Sequence, residues 1–541
     1  MVPLHAPASE NPLHIIPIPA STKLHGDYDD GNGFSGFSLS SNTVIYHHSH
    51  DLASCAARLS RTLNCSNSVH YAAGESDKIK SSRTSNFTDI NSQVLPHGIH
   101  LILLLPPSNR DNHNTAHNNP KDDEAYELSV VDANTITIVA CGAAGVFYGC
   151  TTLDQMLSTA ATIPRVTIMD FPKVEWRGCH LDCSRHFMEI DFIKRFLEVL
   201  AYHKINRFHW HLIDDQGWRL ESLSYPNLTE IGAWRDDAEN PGNKYGGYYT
   251  HDQVREVLAL AQNLHIEVIP EIELPGHCTA ALASYPDLGC TGGPYKVANR
   301  WGIYEDVFCA GNENVFTFLE SVLSEVAELF PSKYVHIGGD ECPKTRWDGC
   351  PRCQKRIVDN DLANCEELQG WFVKRVASIL RKKGKVVIGW DEIHEGGLPE
   401  GAVVQSWRDW SGAIDAVRLG HQSITSPVSH CYYDWGIKYI NLEKVYSFDP
   451  VPRGLSAEEE ALILGSEACM WTEFATRKDV FGKVFPRLLA LSTKMWTPRS
   501  TTDLISFSDF FETVTMYHIP RLKKMGVEVS DGMCDSLKAR P

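Results

Sequence analysis

Cysteine is scarce in this chain, long apolar runs are missing and positive charge is in deficit. Each absence excludes a class of protein. Sixteen cysteines in 541 residues is roughly 3%, far below a disulfide-built scaffold. The longest apolar stretches, Leu101–Leu105 and the glycine-containing run at Ile138–Gly149, fall short of the ~18–20 residues that cross a bilayer. Fifty basic against 68 acidic residues give a net charge of −18, and that field repels nucleic-acid backbones and anionic membrane faces. The expected partners therefore include no nucleic acid and no membrane. Met1–Ala20 shows neither the basic start nor the continuous apolar core of a secretory leader. The compartment stays open on this reading, with the cytoplasm preferred over secretion with a leader removed. Asn64, Asn86 and Asn227 begin N-x-S/T triplets, a number that chance supplies in a chain this long.

What is present is globular material: 43% hydrophobic, 10% aromatic and 22% charged residues, enough for two or three domains. Residues 1–170 mix short strand-like runs (Thr43–His47, Gly98–Leu104, Thr135–Ala140) with a polar insert from Pro106 to Glu124, whose lack of apolar period predicts a solvated loop. From Phe171 onward the pattern alternates. Apolar strands are expected at 174–182, 207–214, 266–274, 334–339, 385–391, 402–407, 422–428 and 463–471. Between them lie amphipathic helices: Thr250 and Gln253 form a capping-box pattern, and Phe316–Phe330 and Leu368–Leu380 carry apolar stripes stopped by Pro331 and Gly384. Eight strands alternating with helices over about 300 residues is the length of a (β/α)8 TIM barrel. The fold class is therefore α/β, a barrel over 171–541 preceded by a smaller α+β domain over 1–170. A doubly wound open sheet is the alternative, but no G-x-G-x-x-G follows the first barrel strand.

In such a barrel chemistry belongs at the carboxyl ends of the strands. Polar residues gather there: Trp176-Arg177-Gly178-Cys179-His180-Leu181-Asp182; His209-Trp210-His211-Leu212-Ile213-Asp214-Asp215; Glu271-Ile272-Glu273 to Pro275-Gly276-His277; His336 to Asp340-Glu341; Trp390-Asp391-Glu392; Trp407-Arg408; Tyr432-Tyr433-Asp434; and Trp471-Thr472-Glu473. Trp390, Trp407 and Trp471 supply flat apolar faces; Arg177, Asp214 or Asp215, Asp434 and Glu473 supply hydrogen-bonding arms. A sugar ring, with C–H patches beside hydroxyls, fits that mixture. Glycoside cleavage needs one acid to protonate the leaving oxygen and a second group to stabilise the anomeric carbon. Adjacent carboxylates push each other's protonation apart, which suits Asp340-Glu341. Neighbours in sequence cannot readily flank a sugar from opposite faces, so Glu341 reads as the acid and Asp340 as helper to a different nucleophile.

His336-Ile337-Gly338-Gly339-Asp340-Glu341, the run His209 to Arg219 and the Pro275-Gly276-His277 segment resemble glycoside hydrolase family 20, the β-N-acetylhexosaminidases. Ile16-Pro17-Ile18-Pro19 and Gly145–Gly149 followed by Leu153-Asp154-Gln155 resemble the start and end of that family's smaller domain. The resemblance implies exo-acting, retaining, substrate-assisted hydrolysis of terminal N-acetylglucosamine or N-acetylgalactosamine, with no cofactor and no catalytic metal. Asp340 would hold the acetamido N–H, Glu341 would act as acid and base, and Tyr432 would bond the acetamido oxygen. Trp390, Trp407 and Trp471 would wall the pocket, and Arg177, Asp434 and Glu473 would hold hydroxyls. Asp214 would accompany Arg177, and His277 with Glu273 would form a supporting pair. N-acetylhexosamine-terminated glycans or chitooligosaccharides are the implied partners, and pairing through the barrel gives a homodimer. Two rivals remain. His209 and His211 have i, i+2 metal-ligand spacing, with His277 and Asp340 as further ligands, as in a metal-dependent barrel hydrolase. A catalytically silent sugar-binding protein is the other. Cys342, Cys350, Cys353 and Cys365 read as free thiols, a disulfide or a structural zinc knot.

Overall fold

Tyr126–Asp132 and Thr135–Ala140 are rich in β-branched residues and pair antiparallel, and Asp132 Oδ1 accepts the Asn134 amide at 2.8 Å to close the turn between them. They lie inside a seven-stranded sheet ordered Ser21–Leu24, Val166–Asp170, Tyr126–Asp132, Thr135–Ala140, Gly98–Leu103, Ile45–His47 and Val69–Tyr71. Helices Ala53–Thr62 and Ala143–Leu157 pack on it. The computed structural model describes residues 13–25, 36–40, 43–64, 69–72, 95–104, 123–158 and 162–529. Asn86 and positions 105–122 of the polar insert lie outside them.

The chain divides into two compact units. The first is this α+β assembly, residues up to Glu175, together with Tyr202–Lys204 and Leu489–Glu528. Gln155 joins its ends: the side chain accepts the Ile16 amide at 2.9 Å and donates to the Ile16 carbonyl at 2.8 Å. Residues 489–528, expected within the barrel span 171–541, group here instead. Arg521 Nε donates to Ser158 Oγ, and Thr497 Oγ1 donates to the Ile18 carbonyl. Helical amphipathicity marks a buried face without naming the surface it covers, which is why the sequence pointed to the wrong neighbour.

The second unit holds eight strands that close into a parallel barrel: β1 Trp176–Asp182, β2 Arg207–His211, β3 Glu267–Glu271, β4 Tyr334–His336, β5 Val386–Trp390, β6 Val403–Ser406, β7 Ser423–Thr425 and β8 Ile463–Met470. β8 pairs with β1 from Trp176↔Gly465 to Leu181↔Met470. The strands are buried almost throughout, their polar residues included, because helices cover one face and the barrel interior the other. Trp176, Ile269, Tyr334, Ile388, Val403, Ile424 and Leu464 form an inner core layer. Burying each such side chain contributes roughly 1.5–3 kcal/mol. The helix His251–Asn263 starts on the expected capping box, with Thr250 Oγ1 accepting the Gln253 amide and Gln253 Oε1 accepting the Thr250 amide. Among the described residues no helix is long and apolar enough to cross a membrane.

Candidate active site

β4 stops at His336, and the chain turns through Gly338 (φ +64°) and Gly339 (φ +97°) before Asp340 and Glu341. A Cβ on Gly338 would lie 1.7 Å from Glu273 Oε2, so only glycine lets this turn pass the end of β3. Glu341 (φ +44°) and His277 (φ +45°) occupy left-handed backbone that side chains seldom adopt. Such strain persists where surrounding structure holds a residue for function.

His277 is the hub of the acidic cluster. Its Nδ1 lies 3.1 Å from Asp215 Oδ2 and 3.4 Å from Asp214 Oδ1, while Nε2 lies 3.7 Å from both Asp340 Oδ2 and Glu341 Oε2. Burial alone would lower its pKa, but the Asp214 charge and the bonds to Asp214, Asp215 and Glu341 hold it well above 6.5. It is an imidazolium at neutral pH. Burial pushes the Asp340 carboxyl up to about 6, the His277 cation opposing and the Glu271 and Glu341 charges reinforcing the rise. The expected pairing of His277 with Glu273 is replaced by pairing with Asp214 and Asp215. Glu273 faces Gly338, 3.9 Å from His211 Nδ1. Burial, then the Asp340 and Glu271 charges, lift its carboxyl far above the usual range, so it is a neutral acid.

Arg177 was expected beside Asp214, but the arginine that meets Asp214 and Glu473 is Arg185. Arg177 is the second residue of β1, fully buried at the strand's amino end, and its amide donates to Asn206 Oδ1 just ahead of β2. Past the other end of β1, Asp182 Oδ1 accepts the amides of Ser184 (2.8 Å) and Arg185 (3.0 Å), turning the chain back over the rim. The Arg185 guanidinium then reaches Asp214 (2.7 Å), Asp182 (3.3 Å) and Glu473 (3.6 Å) and lies over the Trp471 ring. Arg185 and the two histidines outweigh burial at Asp214 and hold its carboxyl well below the usual range. Burial and Glu473 push Asp434 up to about 7.

Trp390, Trp407, Tyr432 and Trp471 form the aromatic wall. Tyr432 lies 6.1 Å from Trp407, stacked, and 6.3 Å from Trp471; Trp390 and Trp471 are 5.8 Å apart. Burial raises the Tyr432 phenol well above 10, so it remains a donor. Trp390 Nε1 donates to Glu271 Oε1 and Trp407 Nε1 to Glu392 Oε2, each at 2.9 Å, which fixes both ring planes. Glu392, Arg185 and Asp215 join the cluster beyond the residues chosen from sequence. Position just past a strand end, on the rim that carries the chemistry, was their signal.

His209 and His211 are each flanked by two carboxylates. His209 bonds Glu467 through Nδ1 (2.7 Å) with Nε2 3.0 Å from Glu271; His211 meets Glu271 (2.5 Å) and Asp214 (3.1 Å). Burial opposes their charge, yet these carboxylates carry the two rings up to about 9 and about 10, as doubly protonated donors. The four cysteines read together also separate. Cys342 Sγ turns to the Pro343 carbonyl and Cys365 Sγ donates to Asp348 Oδ1 (3.1 Å), whereas Cys350 and Cys353 meet Cys290 and Cys309.

Comparison with known proteins identifies the family. Residues 174–499 match the model of the glycosyl hydrolase family 20 catalytic domain, and residues 13–171 match that family's domain 2. The chain is 41% identical to a beta-hexosaminidase of Porphyromonas gingivalis over 75% of this chain and 56% of that protein. It is 34% identical to a beta-hexosaminidase of Vibrio furnissii over 69% of this chain and 66% of that one. It thus spans less than two thirds of the length of these relatives. A solved exo-β-N-acetylglucosaminidase from Vibrio harveyi, in complex with N-acetylglucosamine, superposes with a TM-score of 0.79 at 27% identity, covering 98% of this chain and 81% of that one. With catalytic and companion domains both matched, the chain belongs to glycosyl hydrolase family 20.

Proposed function

We propose that the protein is an exo-acting β-N-acetylhexosaminidase that removes terminal non-reducing N-acetylglucosamine or N-acetylgalactosamine by a retaining, substrate-assisted reaction. The observation that carries this is the Asp340-Glu341 pair beside one shared imidazolium, facing the wall of Trp390, Trp407, Tyr432 and Trp471. Two carboxylates on one turn do not bracket an anomeric carbon as a nucleophile and acid must, so the substrate supplies the nucleophile. The Asp340 anion holds the acetamido N–H and Tyr432 O–H donates to the acetamido oxygen. That oxygen attacks C1 as Glu341 protonates the glycosidic oxygen; the C1–O bond breaks and an oxazolinium forms. Glu341 then takes a proton from water, which attacks C1 and reopens the ring with net retention. Arg185, Asp434 and Glu473 hold ring hydroxyls. The relatives' names and the N-acetylglucosamine complex of the Vibrio harveyi protein support the acetamido sugar.

N-acetylhexosamine-terminated glycans or chitooligosaccharides are the substrates in this proposal. The domain boundary near residue 170 belongs to it too, supported by the two family matches, with 489–528 grouped with the first unit. So does a homodimer, which light scattering reads as twice 60.6 kDa. The test is hydrolysis of p-nitrophenyl N-acetyl-β-glucosaminide against the plain β-glucoside, for wild type and Asp340→Asn, with and without EDTA. Cleavage of the acetamido sugar alone, indifferent to EDTA and reduced roughly 100- to 1000-fold in the variant, is expected. Equal cleavage of the plain glucoside, or full activity in Asp340→Asn, would sink the mechanism. Loss with EDTA would count against a metal-free reaction.

A further inference from the structure

Four cysteines from three separate stretches of the barrel unit meet at one point. Cys309 Sγ lies 3.6 Å from Cys353 Sγ and 3.8 Å from Cys350 Sγ, Cys290 Sγ lies 3.9 Å from Cys353 Sγ, and all four sulfurs fall within 4.8 Å of one another. These separations are almost twice a disulfide bond of ~2.05 Å. They match instead the ~3.8 Å edge of a tetrahedron whose corners lie ~2.3 Å from a central zinc. Three of the four side chains are buried and Cys290 is partly so.

Local structure brings the sulfurs together. Gly289 bridges Phe308, and the Cys309 amide donates to the Leu288 carbonyl, which sets Cys290 and Cys309 side by side. Cys350 is the N-cap of the helix Pro351–Asp359 and Cys353 lies in its first turn, so a C-x-x-C pair presents both sulfurs at a helix N-terminus, whose dipole favours thiolates. A Cβ on Gly311 would sit 2.2 Å from the Arg352 carbonyl carbon, so a glycine there lets the two backbones close. Arg352 Nη2 donates to the Gly289 carbonyl at 3.1 Å across the same junction.

We propose that Cys290, Cys309, Cys350 and Cys353 bind one structural zinc ion as a closed tetrathiolate. Soft thiolates in a tetrahedron select zinc or iron among common metals, and four protein ligands leave no open position for substrate or water. The ion staples two loops of the catalytic rim. One, between residues 289 and 312, packs on the sugar pocket: the Ala298 amide donates to the Asp215 carbonyl and the Phe308 amide to the Pro275 carbonyl, each at 3.0 Å. The other follows Glu341, where Trp347 Nε1 donates to the Phe308 carbonyl at 2.9 Å and Arg346 Nε to Asp306 Oδ1 at 2.7 Å. The zinc steadies the wall beside the catalytic acid and takes no part in the reaction.

The test is the metal content of the full chain, reduced and gel-filtered, by inductively coupled plasma mass spectrometry. Expected are about one zinc per chain, its release by a mercurial that captures thiolates, and thiolate-to-metal charge-transfer bands when cobalt replaces zinc. Cys309→Ser and Cys353→Ser should hold less than about a tenth of the wild-type zinc and melt earlier, whereas Cys365→Ser, outside the cluster, keeps the full amount. Wild-type protein that neither carries zinc nor takes it up after reduction would overturn the proposal, as would iron in its place, or full zinc in Cys309→Ser. The wild-type measurements decide even where a variant fails to fold, and they are independent of whether the protein cleaves acetamido sugars.

Discussion

Glu392 shows at residue scale how the pocket stores electrostatic cost. Its Oε2 accepts from Trp407 Nε1, and burial, followed by the Asp340 and Asp391 charges, lifts its carboxyl to about 8 from an ordinary 4.5. A folded-state pKa raised above the unfolded value means the stabilisation is fully present below pH 4.5 and is lost as pH rises through about 8. Gln at this position still accepts from Trp407 but never ionises. Glu392→Gln should therefore match wild type in denaturant unfolding at about pH 4.5 and exceed it above pH 8 by on the order of 5 kcal/mol, at ~1.4 kcal/mol per pKa unit. A gain independent of pH would remove the electrostatic account. Sequence put Asp340, Glu341, His277 and the tryptophans on the rim because each follows a strand. It could not assign partners: whether Glu273 or Asp215 holds His277 depends on side-chain directions at strand ends that spacing does not encode.

Among the elements, β1 is the instructive one. A strand advances about 3.3 Å per residue, so Arg177 and Asp182 stand at opposite ends of the barrel, roughly 16 Å apart. Reading 176–182 as one polar run hid that distance, and the run stopped three residues short of Arg185. The two arginines separate experimentally. Arg185→Lys loses the forked contacts to Asp214, Asp182 and Glu473 and should lower kcat/KM roughly 100-fold with a small change in melting temperature. Arg177→Lys should keep kcat/KM near wild type and lower the melting temperature. The opposite pattern would restore Arg177 to the pocket. The strands themselves were readable because their apolar residues gather in short runs that end in polar rim residues; they prove up to three residues shorter at their carboxyl ends, where the chain already turns over the rim.

For the whole molecule, Lys204 and Asp170 carry the point. Lys204 Nζ lies 2.7 Å from Asp170 Oδ2 with both side chains fully buried, and Asp170 also accepts from Tyr126 O–H (2.6 Å) and Trp496 Nε1 (2.7 Å). Three segments far apart in sequence thus converge on the Asp170 carboxylate within the first unit. Removing one member of a buried ion pair leaves the other charge desolvated and costs about 3–5 kcal/mol. Asp170→Ala should lose that much in chemical denaturation, whereas Asp236→Ala, which breaks the exposed Lys244–Asp236 pair, should leave the unfolding midpoint nearly unchanged. Equal losses would deny Asp170 its special place.

The sequence by itself determined the barrel, the rim on which chemistry gathers, the acidic pair Asp340-Glu341 and the aromatic wall. Those properties follow from local periodicity and from the rule that chain polarity carries every parallel strand toward the same face. Tertiary structure decided that Arg185 meets Asp214 and Glu473, that Asp214 and Asp215 and not Glu273 hold His277, that Cys290 and Cys309 and not Cys342 and Cys365 join Cys350 and Cys353, and that residues 489–528 complete the first unit. Each is a contact between distant segments, set by how the barrel closes and how loops fold back over it, and hydrophobic pattern is silent about that. A periodic sequence states which face is buried; only the folded chain states against what.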